Sequence, residues 1–345
     1  MSYQREFGKK LRIGLVGIGF HSYRNILPAF NYLPITLEAV CNHSNKELLN
    51  LTCAQYGCRG YQNVKDMYEK ENLDAVFICV APQVHAPLVE EALDAGLHVW
   101  VEKPPAMRAS EVKRLLDRKE GKVVVTGFKK AFMPSTRKAL EVMKSEKYGN
   151  TTGMLAIYPM NMPENGEEIL EQKIFTNWLG NGCHPLSLMI AAGGNVKSVI
   201  THTNKTGNGS VILEFENGLI GDLCLASGPW PLENYQFFGD SWHLKIENST
   251  RVTLQRGIPF EYGITTGFVP EGDDSGAVVW EPQNSLATLE NKALFVQGMY
   301  DEMKYFCDCV LENKAPEYCG LDFAYHVMQV YEAALVSNGE KVEIK

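Results

Sequence analysis

The run Gly14-Leu15-Val16-Gly17-Ile18-Gly19-Phe20-His21-Ser22 puts glycines at 17 and 19 directly behind an apolar segment. Such a turn lets the backbone approach a pyrophosphate, whose charge then meets the unpaired amides of a helix N-terminus. Ser22 stands where a third glycine or an alanine is usual. Gly17, Gly19, Phe20 and His21 are therefore candidate dinucleotide contacts, against the plainer reading of a tight turn. A second cluster is Val40-Cys41-Asn42-His43-Ser44-Asn45-Lys46. A carboxylate at this point would hold a free ribose 2'-hydroxyl, but Glu38 lies too early in the run. Asn42 can bond a hydroxyl or a phosphate oxygen, and His43 with Lys46 offers charge to a 2'-phosphate. The pattern leans to NADP over NAD, unless Asn42 and His43 only form the turn and both coenzymes bind.

These residues need a scaffold that gathers strand ends. Apolar runs at 11–16, 35–41, 74–80, 97–102 and 122–126 alternate with helical patterns near 20–32, 45–56, 85–95 and 108–119. Parallel strands covered by helices on both faces read this way, and Ala75 to Val80 is continuously apolar as such a strand should be. The expected first domain, 1–127, is a doubly wound α/β Rossmann domain. Two more strand ends then reach its carboxyl edge, where open α/β sheets bind ligands. They are Cys79-Val80-Ala81-Pro82-Gln83-Val84-His85 and Val101-Glu102-Lys103-Pro104-Pro105. Val80, Pro82, His85, Glu102 and Lys103 join the cofactor-binding candidates.

After about Gly127 the texture changes. From 151 to 254 strands follow closely with turns such as Asn208-Gly209 and Asn217-Gly218, and Val211 to Glu216 alternates apolar and acidic residues. Segment 256–290, rich in Gly, Pro and acidic residues, reads as a long loop. Helical patterns at 291–313 and 321–338 close the chain. The second domain, 128–345, is expected to be α+β with a large, mostly antiparallel sheet.

Gly17-x-Gly19, Pro82-x-x-His85, Ala92 to Val101 and above all Glu102-Lys103-Pro104 resemble the glucose-fructose oxidoreductase, inositol dehydrogenase and rhizopine-catabolism (Gfo/Idh/MocA) family. Gly127 to Phe132 resembles its crossover into a second domain, Val211 to Leu225 its sheet, and 299–339 its closing helices. The resemblance implies an NAD(P)-dependent oxidoreductase acting on a hydroxyl or carbonyl of a sugar, polyol or related molecule. It makes Lys103 the catalytic candidate beside the nicotinamide. Chemistry agrees: a partly desolvated lysine near a positively charged ring gives up its own proton more readily and can take one from an alcohol.

The resemblance also singles out Asn177-Trp178-Leu179-Gly180-Asn181-Gly182-Cys183-His184-Pro185-Leu186, which is similar to the family's Asp-x-Gly-x-His segment at Gly182 and His184. A helix starting at Pro185 makes His184 its cap. A neutral imidazole there can relay a proton or bind a substrate hydroxyl, and a structural cap is the bland alternative. The chain departs from the pattern at Gly180, in place of a catalytic aspartate, and at Ser187, in place of an acidic residue. Asn177 and Asn181 can offer only neutral hydrogen bonds. That weakens the inositol-type reaction and leaves Lys103-assisted chemistry open. His21, His202 and His243, Trp178 as pocket wall or packing residue, and the Tyr158 hydroxyl are lesser candidates.

Composition narrows the field. The 345 residues carry 33 basic and 41 acidic side chains, net charge -8, with no basic run beyond a pair, so nucleic acid is not an expected partner. No apolar run reaches membrane-spanning length and the start is polar, so no membrane partner and a cytoplasmic location are expected. The nine cysteines lack a C-x-x-C pair or a neighbouring His at ligand spacing, and no metal site is expected. The partners expected are a small polyhydroxylated substrate and, as the resemblance implies, a second copy in a homodimer or homotetramer. Two alternatives stay open: an NAD-dependent glycosidase, in which the redox change cancels over the cycle, and a non-catalytic nucleotide-binding or sensor protein, suggested by Gly180 and Ser187.

Overall fold

The computed structural model describes residues 7–229, 232–257, 261–264, 277–281 and 292–345. The chain forms two compact units. One comprises Met1–Lys129, Leu170–Phe175 and Ala293–Met328, the other Lys130–Ile169, Thr176–Lys292 and Gln329–Lys345.

The first unit holds a six-stranded parallel sheet, β1 (Leu11–Val16), β2 (Ile35–Cys41), β3 (Arg59–Tyr61), β4 (Ala75–Ile78), β5 (His98–Glu102) and β6 (Val124–Gly127), in the order β3-β2-β1-β4-β5-β6. Chain direction across the sheet reverses between β1 and β4, which opens a crevice at their carboxyl ends. Ile13 and Leu15 on β1 and Ala75 to Ile78 on β4 are fully buried, so burial on both faces explains the unbroken apolar runs. The connections are α1 (Leu27–Phe30), α2 (Lys46–Tyr56), α3 (Val64–Lys70), α4 (His85–Asp94) and α5 (Ala109–Arg118). Asn45 caps α2 by accepting from Leu48 N, and Asn63 caps α3 by accepting from Lys65 N. β3 and α3 lie where the apolar pattern set neither apart: β3 is three residues long and partly exposed, with no periodicity to read.

The second unit is built on a nine-stranded, mostly antiparallel sheet. Its strands are β7 (Thr151–Tyr158), β8 (Val196–Thr203), β9 (Gly209–Phe215), β10 (Ile220–Leu225), β11 (Asn234–Gly239), β12 (Trp242–Glu247), β13 (Arg251–Arg256), β14 (Val278–Trp280) and β15 (Val342–Glu343). Only one pair, β7 with β10, is parallel among the described strands. The helices from the crossover onward are α6 (Lys129–Phe132), α7 (Pro134–Met143), α8 (Gly166–Gln172) and α9 (Cys183–Gly193). Of the expected loop 256–290, residues 258–260, 265–276 and 282–290 lie outside the described residues. The described part contains β14, so that segment is not wholly loop: Val278 to Trp280 pair with β13.

Three helices close the chain, α10 (Lys292–Val296), α11 (Met299–Leu311) and α12 (Leu321–Val336). The single helical pattern expected at 291–313 is interrupted because Gly298 adopts φ 81°, a left-handed conformation suited to glycine. Within the first unit, α11 packs on β5 and β6, with Phe306 edge-on to Phe77 at 5.4 Å.

Candidate functional site

Gly17 directly follows β1 with φ +94°, and a Cβ there would stand 2.1 Å from the carbonyl oxygen of Cys79, the residue after β4. Only glycine fits. A Cβ at Gly19 would meet nothing within 4 Å, so the backbone is open on the side where a pyrophosphate would approach. The helix after the turn starts with a wide π-type turn at Ser22–Ile26 before α1. Ser22 Oγ donates back to the Gly17 carbonyl at 2.9 Å, closing the turn where a third small residue usually suffices. Phe20 is 79% exposed, with the Arg24 guanidinium 5.8 Å from its ring centre. This cradle fits a dinucleotide: a positive-φ glycine, open backbone and a helix start together.

His21 faces inward along the same edge. Its Nε2 lies 2.9 Å from Glu102 Oε1, and Asn25 Nδ2 lies 3.1 Å from its Nδ1. With Asn25 donating to Nδ1, Nε2 carries the proton given to Glu102. Glu102 is buried at the end of β5. Burial pushes its carboxyl up, but the His21 hydrogen bond and the charges of Lys103 and Lys129 outweigh that and hold it below the usual carboxylate range. Lys103 follows, half-buried, with a cis bond to Pro104. His85 opens α4 and is 1% exposed; its Nδ1 donates to the Pro104 carbonyl at 2.7 Å. Burial holds this imidazole below its ordinary range, hence neutral. His85 thus anchors the turn that presents Lys103, and Pro82 starts the short turn leading into it. Val80, half-buried, lies two residues past the end of β4.

At the end of β2, Asn42 N donates to the Tyr61 carbonyl, while His43 and Lys46 are exposed. Glu38 is engaged inside the strand: Arg12 Nε reaches it at 3.3 Å and Arg59 at 3.0 Å. Glu38 therefore does not reach past this strand end, while the Asp66 carboxylate on α3 acts on Cys41, the last residue of β2.

Gly17, Gly19, Phe20, His21, Val80, Pro82, His85, Glu102 and Lys103 therefore come together at the carboxyl ends of β1, β4 and β5, with Asn42 and His43 one strand further along. His184 belongs to the other unit. It is not a helix cap: α9 already begins at Cys183, continuing the π-type turn Trp178–Gly182, so His184 sits buried inside the first turn. The run-in from Trp178 was invisible because glycines 180 and 182 depress helix propensity. Ser187 Oγ donates to the His184 carbonyl at 2.9 Å, and Asn181 donates to Asn177, each turned to its own helix. Trp178 is fully buried, stacked on Tyr331 and donating to its carbonyl at 3.3 Å, which makes it a packing residue. Tyr158 is buried, and His243 stacks on Phe238.

Sequence reasoning missed Glu302. It lies on the buried stripe of α11 with Met299, Met303, Phe306 and Cys307, and its side chain is 0% exposed. A glutamate at three- and four-residue spacing within an apolar stripe was the available signal. Among the described residues there is no cluster of three or more potential metal ligands, and no helix is long and apolar enough to cross a membrane.

Comparison with known proteins gives the following. Residues 11–128 match the model of the Gfo/Idh/MocA oxidoreductase family, NAD-binding Rossmann fold. A dTDP-3,4-didehydro-2,6-dideoxy-alpha-D-glucose 3-reductase from Streptomyces violaceoruber is 34% identical over 122 residues, 35% of this chain and 36% of that protein. The alignment thus spans only about a third of that relative's length. The enzyme of the same name from Streptomyces antibioticus is 23% identical over 253 residues, 70% of this chain and 76% of that protein. Among solved structures, a dehydrogenase from Chromobacterium violaceum superposes with a TM-score of 0.78 at 20% identity, covering 96% of both chains, which shows a shared fold.

Proposed function

Since residues 11–128 match the model of the Gfo/Idh/MocA oxidoreductase family with its NAD-binding Rossmann fold, we propose that this protein is an NAD(P)-dependent oxidoreductase acting on a hydroxyl or carbonyl of a sugar, polyol or related small molecule. One observation carries the reading: the dinucleotide cradle at Gly17 and Gly19 and the Glu102-Lys103-Pro104 turn occupy the same carboxyl edge of one parallel sheet. The relatives' names, reductases of a dTDP-linked didehydro sugar, support a sugar substrate with a reducible carbonyl.

When bound, the coenzyme supplies a two-electron acceptor or donor for the substrate carbon. Lys103 takes the hydroxyl proton in the oxidising direction and returns it in the reducing one. Glu102 and His85 fix the turn that carries that amine, one through His21 and the other through the Pro104 carbonyl. Gly17 and Gly19 bring backbone amides to the pyrophosphate. His43 and Lys46, with Glu38 engaged inside the strand, favour NADP over NAD. The hydroxyl-binding role of His184 belongs to the same reading. No carboxylate stands at 180 or 187, so proton transfer rests on Lys103. A cytoplasmic homodimer or homotetramer belongs to the same reading and is tested by native mass.

The deciding experiment follows reduced-coenzyme absorbance on mixing the protein with NAD or NADP and a panel of sugars, polyols and their keto forms. Turnover is expected with at least one member, preferentially with NADP, and Lys103→Ala should lower kcat by about 10²–10⁴-fold. Failure of both coenzymes to bind would overturn the reading. Bond cleavage without net absorbance change would instead point to the glycosidase chemistry.

A further inference from the structure

Neither carboxyl oxygen of Glu302 has a hydrogen-bond partner among the described residues, although the side chain is fully buried. A charged carboxylate in that place would have lost its hydration with no donor to replace it, a far larger cost than burying the neutral acid. The surroundings add to this. A Cβ on Gly127, the last residue of β6, would stand 3.4 Å from Glu302 Oε1, and Gly127 is the register partner of Glu102 on β5. The charged groups that act on Glu302 are Glu102, Lys103, Lys129 and, on its own helix, Asp301, and the buried Cys319 thiol lies within reach of an ionised Glu302.

Burial first, and the negative charge of Glu102 second, push Glu302 well above the carboxylate range, against the opposing pull of Lys129 and Lys103. The N-terminal end of α11 also favours the charged form and is outweighed. Glu102 goes the other way, held charged by His21, Lys103 and Lys129. Two neighbouring carboxyls pushed apart in this manner divide their roles: one keeps the charge and the other the proton.

We propose that Glu302 is a positioning residue for the site that carries Lys103: it keeps its proton behind the Glu102-Lys103 turn, and its neutrality leaves the single negative charge of Glu102 to His21 and Lys103. The consequence for coenzyme rests on the oxidoreductase reading; the protonation does not. Were Glu302 to ionise, a second negative charge would compete for Lys103 and Lys129 and loosen the turn.

Infrared difference spectra of the full chain, wild type minus Glu302→Gln, test the protonation. A carbonyl band of a protonated carboxylic acid is expected at neutral pH, fading as the pH is raised. Its absence from the difference would overturn the proposal. The positioning role is read by fluorescence titration with NADPH and NADH from neutral to alkaline pH. The wild-type Kd should weaken on the order of tenfold, the effect of one unit of linked shift, while Glu302→Gln stays flat; coincident profiles would overturn it. If neither protein binds either dinucleotide, that failure falls on the oxidoreductase reading. Thermal midpoints then decide Glu302: a steeper alkaline decline in the wild type than in Glu302→Gln supports the buried acid, and equal declines overturn it.

Discussion

At Gly17 a single hydrogen atom in place of a methyl group decides whether the first turn can exist. Gly17→Ala would force either the positive φ or the contact with the Cys79 carbonyl to give way, at a cost of about 1–3 kcal/mol. Both urea midpoint and coenzyme affinity should fall, whereas Gly19→Ala, with open space around it, should lower affinity with little loss of stability. His85 offers a second case. Removing its ring by His85→Ala strips the Pro104 carbonyl of its donor inside the protein, so a loss of about 1–3 kcal/mol is expected in urea unfolding. Much of this was legible in the residues themselves, since the glycine pair and Glu102-Lys103-Pro104 announce their chemistry by type and spacing. The partners were not. That His21 reaches Glu102, 81 positions away, and that His85 reaches Pro104 depend on strand order, which spacing along a chain does not encode.

Elements were readable in proportion to their burial and length. β1 and β2 occupy the apolar runs expected of them, because burial keeps most of their positions apolar, with Arg12 on β1 and Glu38 on β2 paired to each other. Short or half-exposed pieces such as β3 and β14 have no such signature, and α9 follows directly on a π-type turn, Trp178–Gly182, whose glycines disguise the start of the helical run. In the second unit, α6 and α7 are tied to the sheet by a buried polar network: Lys130 pairs with Glu233, Ser249 bonds both, Tyr235 donates to Glu233 at 3.0 Å, and Ser135 donates to the Ser249 carbonyl at 2.7 Å. Breaking one side of a desolvated pair leaves the other charge stranded. Glu233→Ala should therefore cost about 3–5 kcal/mol in denaturant unfolding, and a double variant that also replaces Lys130 by Met should recover much of it. A surface pair such as Lys113 with Asp117 should be nearly silent in the same assay.

For the molecule as a whole, stability is bounded on both sides of neutrality. The Arg59 guanidinium and the Tyr61 hydroxyl hold Glu71 below the carboxylate range despite partial burial, and burial holds His85 below the imidazole range. Each is favoured in its deprotonated form when folded, so its contribution is present above the unfolded-state value and is lost as pH falls through the folded one. Glu302 has the opposite sign: raised on folding, it stabilises at low pH and that contribution drains away as pH rises. A thermal midpoint plotted against pH should form a dome whose acid limb steepens through Glu71 and His85 and whose alkaline limb flattens in Glu302→Gln. Compactness groups 293–328 with residues 1–129. Local periodicity is blind to such a return, which is why Glu302 could be seen as an oddity on its helix while its neighbour Glu102 could not be foreseen.

The indole of Trp100 lies fully inside the first unit, stacked on Phe77 at 5.4 Å and two positions ahead of Glu102. Shielded from water, it is a native light donor on β5, the strand whose end carries Glu102. Exciting tryptophan and watching for the blue glow of a reduced nicotinamide would report occupancy without any label, and Trp100→Phe should dim that signal.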